Sequence, residues 1–108
     1  MTIDWNLIFK NAVNAAVGAA KTNEPAIREY LKGIQGQHEA ALQDIALAYA
    51  SGDIDKATFE SSLVDEAETL RNELLVMTVV AKATAQKAAN AFVDALVKGI
   101  KAVLFAAI

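Results

Sequence analysis

The side chains best suited to chemistry in this 108-residue chain are its one histidine, His38, and the carboxylates Asp65, Glu66, Glu68 and Glu73. A histidine facing acidic residues can pair with them, move a proton or ligate a metal ion. A ferritin-like di-iron site needs Glu-x-x-His on its helices. The residue three before His38 is Gln35, so that motif fails. His38 can pair with Glu68, and together with Glu66 it could contact a metal. One histidine and a few carboxylates on polar faces make a poor closed site, so the reading is a structural or surface histidine. Asp65 and Glu68 share one helix face and Glu66 and Glu73 another, the pattern of a solvated helix side.

The other motifs lack their context. Asp53-x-Asp55 opens like a calcium loop, but positions six and twelve are Thr58 and Val64 instead of Gly and Glu. Gly33-Ile34-Gln35-Gly36 matches the RNA-binding GXXG pattern, yet it lies within a helical pattern in the acidic part of the chain. Ser51, Ser61 and Ser62 have no histidine base at hand and no nucleophile elbow. No phosphate-cradling glycine motif is present. Cysteine is absent, which removes disulfides, thiolate ligands and a Cys nucleophile. Trp5, Phe9, Phe92 and Phe105 read as packing residues. The expectation is a non-enzyme with no cofactor and no resident metal.

The elements that carry these residues are helical. Hydrophobic residues make up 55% of the chain, too many for disorder, and a single Pro with five Gly leaves little to interrupt helices. A first helix is expected over 4–21 with Asp4 as its cap. Its polar stripe is narrow, and Trp5, Ile8, Phe9, Ala12, Val13, Ala16 and Val17 line the rest. Thr22-Asn23-Glu24-Pro25 punctuates the chain, with Thr22 or Asn23 as a side-chain cap. A second, amphipathic helix follows over about 24–50. Ile27, Tyr30 or Leu31, Ile34, His38, Ala41, Ile45 and Ala48 form its apolar stripe. Gly33 and Gly36 inside it suggest close backbone approach or a slight bend.

Gly52 suits a left-handed helix end, and Asp53 or Asp55 caps the next helix. From residue 56 no stop is evident. Phe59, Leu63, Ala67, Leu70, Leu74, Met77, Ala81, Thr84, Ala88, Ala91 and Ala95 follow steps of four and three. The expectation is one helix to 107, about 78 Å long, or two nearly collinear ones bent near 82–86. With a turn at residue 53, residue i faces roughly residue 106 − i, which sets His38 near Glu68. Continued, helix one lies beside residues 85–102, or else it folds back along helix two. The fold class is therefore all-α: a long antiparallel helical hairpin with apolar N- and C-terminal helices, three to four helices in one domain, 1–108.

Ten Lys and Arg against thirteen Asp and Glu give a net charge of −3, which argues against nucleic acid as a partner. The charge is uneven: residues 1–81 carry −6 and residues 82–108 carry +3. Lys87, Lys98 and Lys101 stripe a C-terminal segment that is otherwise strongly apolar. Its large side chains cannot all face one neighbour, and a wide exposed apolar patch marks an interface or a membrane surface. Trp5, Ile8, Phe9, Phe92, Leu96, Ile100, Leu104 and Phe105 are the expected oligomer or membrane interface. A second copy of the chain would complete the bundle.

In size and in its single helical hairpin the chain resembles, in shape, the small secreted WXG100-type proteins. Where those carry Trp-x-Gly at the turn, this chain reads Tyr49-Ala50-Ser51-Gly52. The functional expectation is a non-catalytic structural or protein-interaction module that self-associates through its terminal helices, with the acidic tip near 51–60 open to a protein partner. The alternatives are a peripheral membrane or pore-forming protein using the Lys-striped helix and a bundle that binds a small ligand or metal. With no secretory signal before Lys10 and no apolar run long enough to span a bilayer, a cytoplasmic location is expected, peripheral membrane contact remaining open.

Overall fold

The computed structural model describes residues 3–107, and its regular structure there is entirely helical. Four helices follow one another: α1 (Trp5–Ala20), α2 (Glu24–Ala50), α3 (Lys56–Leu75) and α4 (Lys82–Ala107). Local capping starts two of them. The Asp4 carboxylate accepts from the Leu7 N–H at 3.1 Å, and Asp55 accepts from the Thr58 N–H at 2.8 Å. Those bonds satisfy amide groups that a first helical turn leaves free. The bond from Thr58 holds the Asp55 carboxyl below the usual carboxylate range. Gly52 ends the α2 region with φ +80°, a conformation only glycine adopts without strain.

The α1–α2 connection is built differently from its expected cap. Lys21 and Asn23 both take left-handed backbone conformations. Asn23 makes no side-chain cap bond to α2. Its amide instead donates to the Val79 carbonyl at 2.8 Å, so it ties the first connection to the third.

The unbroken helix expected after residue 56 is not found. The chain leaves helical structure after Leu75 and re-enters at Lys82. The molecule measures 42 × 22 × 19 Å, too short for a rod of about 78 Å. Val76, Thr78, Val79 and Val80 supply the cause. Four β-branched residues in five positions lose side-chain freedom against a preceding helical turn. α4 then returns along α3, with Phe59 6.0 Å from Phe105 between ring centres and Lys56 over the Phe105 face at 4.7 Å.

Each helix runs antiparallel to its neighbours. Tyr49 stacks on Phe59 at 4.6 Å, while Tyr30 reaches Glu73. Ile8 of α1 lies against Gly99 of α4, and Phe9 packs at 6.4 Å from Phe92. α1 therefore lies beside α4, one of the two placements the sequence allowed. The order is up, down, up, down, the simplest way to close a four-helix bundle with short connections.

The core draws on all four helices. α2 contributes Ile27, Leu31, Ile34, Leu42 and Ala46, and α3 contributes Phe59, Leu63, Leu70 and Leu74. Where α1 meets α4 the buried set is rich in small residues, with Ala12 and Ala16 on one side and Ala85, Ala88 and Ala89 on the other. At Gly99 a Cβ would stand 3.3 Å from Ile8 Cγ2, so that contact leaves no spare room. By contrast, nothing lies within 4 Å of a Cβ built at Gly33 or Gly36, so neither glycine marks a close approach.

Candidate functional site

The eight residues expected to meet a second copy or a bilayer are largely spent within the single chain. Ile8, Phe9, Phe92, Leu96, Ile100 and Leu104 are all buried, none more than 5% exposed. Trp5 and Phe105 are half-buried. The reason is geometric. A lone α4 has too wide an apolar perimeter for one neighbour, but here it has two, α1 and α3. One chain thus covers six of the eight, while Trp5 and Phe105 stay partly exposed. The Lys-striped face of α4 keeps Lys87 and Lys98 exposed, while its large apolar residues point inward. Among the described residues no helix is long and apolar enough to cross a membrane.

His38 occupies a different environment from the one sequence spacing suggests. It belongs to the buried stripe Ile27, Leu31, Ile34, His38 and Leu42 on α2. Glu66 and Glu73 stand seven residues apart, two turns of α3, and flank it from the other side. The Glu66 carboxylate is 2.7 Å from Nδ1, and the Glu73 carboxylate is 2.8 Å from Nε2. Glu68, the expected partner, is exposed and lies 3.6 Å from Arg71. The axial level was right and the helix face was wrong. With both carboxylates ionised, both ring nitrogens must donate, which only the imidazolium can do. Burial pulls the His38 pKa down, and the hydrogen bonds and charges of Glu66 and Glu73 outweigh it, leaving a net upward shift. Both ring nitrogens are thus committed to the fold, so the ring offers no free base or ligand atom. Among the described residues no group of three His, Asp or Glu is arranged to hold a metal. Asp55, from the failed calcium motif, serves as a helix cap.

Two clefts open along the seam between α1 and α2. The described hydrogen bond across that seam runs from Arg28 to the Asn14 side-chain oxygen at 3.1 Å. Toward the 51–55 turn the helices part around a cleft of about 450 Å³, lined by Ile3, Trp5, Ala46 and Leu47. Leu47 at its lip is 65% exposed. Further along, a cleft of about 790 Å³ is lined by Lys10, Val13, Pro25, Arg28, Glu29 and Lys32. The two clefts share no lining residue and follow one another along the seam, Gln35 of α2 lining one and Gln43 the other. Sequence reasoning found Trp5 but missed Lys10, Arg28 and Lys32 as a group. In sequence they sit in two separate polar stripes, and only the antiparallel register of α1 on α2 brings them together.

The acidic tip is exposed at Ser51, Gly52, Asp53 and Asp55. Just below it Tyr49, Phe59 and Phe105 form an aromatic cluster. The chain matches no family model, no curated protein and no solved structure.

Proposed function

We propose that this chain is a non-catalytic protein-interaction module whose working surface is the open α1–α2 seam. One observation carries the reading. α1 is packed closely on α4, yet beside α2 it leaves two clefts, with Trp5 and Leu47 at the rim of one. Large apolar side chains held at a concave, incompletely filled surface are what a partner's side chain can bury. Self-association through the apolar faces of α1 and α4 is the weaker reading, because six of its eight residues are already covered inside one chain. Of that set, Trp5 is the member that lines the seam.

Sedimentation equilibrium of the chain and of its Leu47→Asp variant tests the assignment. A monomer at tens of micromolar favours a foreign partner at the seam. A dimer that Leu47→Asp dissociates gives the seam to a second copy. A stable dimer indifferent to Leu47→Asp places the contact elsewhere and overturns the reading.

A further inference from the structure

We infer that the seam is built to receive an acidic amphipathic segment of another protein, with one large apolar side chain in the Trp5–Leu47 cleft and carboxylates over Lys10, Arg28 and Lys32. The inference rests on the seam being the working surface and adds the chemistry of its occupant.

Charge carries the argument. Residues 1–81 hold twelve acidic and six basic side chains, and three of those six cations line this one cleft. The carboxylate lining it with them is Glu29. Arg28 is shared between Glu24 at 2.9 Å and Asn14, but neither Lys10 nor Lys32 forms an ion pair among the described residues. In the cleft between α3 and α4 three cations, Arg71, Lys98 and Lys101, stand beside Glu68 and Asp94, and two of those cations belong to the basic segment 82–108. The lining of this cleft is thus net positive within the acidic 1–81 part of the chain, and complementary charge both steers and orients a partner.

Shape narrows the class. The cations line a groove together with Val13 and Pro25, and the uncharged Trp5–Leu47 cleft opens farther along the same two helices. A flat anionic bilayer cannot enter a concave groove between two helices. A helix or extended segment that carries an apolar anchor beside acidic residues can fill both parts at once.

Trp5 is the only tryptophan, and it lines the apolar cleft, so its emission reports occupancy directly. The full chain is titrated with a synthetic helical peptide bearing a leucine stripe flanked by glutamates. The controls are the same peptide with lysines for the glutamates, and vesicles of anionic phospholipid. The expected result is a saturable blue shift with the acidic peptide alone, weakened by added salt and by about tenfold or more in Lys10→Glu/Lys32→Glu. Both lysines are exposed, so the variant should keep the circular dichroism of the parent. Equal binding of the lysine peptide, or acidic-peptide binding unchanged in Lys10→Glu/Lys32→Glu, overturns the charge assignment but leaves the seam reading standing. Binding that Leu47→Asp does not weaken, or no shift with any peptide, overturns both. A shift with vesicles alone makes the occupant a lipid surface and overturns the inference.

Discussion

The two long helices, α2 and α4, are nearly equal in length, at 27 and 26 residues, and are held in place by different forces. α2 is tied to its surroundings by polar contacts as well as by its apolar stripe. His38 bridges to Glu66 and Glu73, the Tyr30 hydroxyl donates to the Glu73 carbonyl at 2.9 Å, and Arg28 reaches Asn14. Among the described residues α4 makes no side-chain hydrogen bond to another helix; it is held by Phe92, Val93, Leu96, Ile100 and Leu104, and by close contact at Gly99. Polar ties fix position and respond to pH and salt, whereas apolar packing supplies cohesion and responds to shape. The clefts at the α1–α2 seam fall on the polar helix, where a partner can add contacts without dismantling the core.

The sharpest way to break this comparison is to truncate one apolar anchor of α4. Phe92→Ala should cost about 3–5 kcal/mol in urea unfolding, since the ring is wholly buried between helices. A loss below about 1 kcal/mol would mean that α4 is not held by packing.

The next effect is one of pH. The His38 pKa is raised in the folded state, so the native chain holds this proton more tightly than the unfolded one. Its contribution is fully present below the unfolded histidine value of about 6.5 and is lost as pH rises through the folded value. Unfolding titrations from about pH 5 to about pH 9 should show that decline, and His38→Gln should remove it. A profile that His38→Gln leaves unaltered would sever α2 from its proposed ionic anchor. The smallest expected effect is at Tyr30. Tyr30→Phe deletes one hydroxyl donor and should cost about 1 kcal/mol, with no change in the pH profile.

What the sequence made legible was local. Asp4, Gly52 and Asp55 act within a turn of where they stand, so their roles needed no tertiary knowledge. The stripe on α2 was legible as far as His38. Beyond it, Ala41, Ile45 and Ala48 were expected inside, but Leu42 and Ala46 are the buried residues, because the stripe continues in steps of four. The α3–α4 break was hidden by a hydrophobic repeat that carries through it. Leu74 and Ala88 fit one frame across six non-helical residues, and only the β-branched cluster at 76–80 betrays the stop. The seam and the Glu73 partner of His38 were not legible, since each depends on how two helices are rotated about their own axes.

The Ile8–Gly99 contact joins residues roughly 90 positions apart, the longest kind of loop this chain can close. Neighbouring helices α2 and α3 can associate as soon as both exist, but the inward side of α1 has no lid until α4 is available. On a translating ribosome Ile8 and Phe9 lack this cover until Gly99 has emerged. The pairing of α1 with α4 is therefore the last of the neighbouring-helix contacts that a growing chain can close.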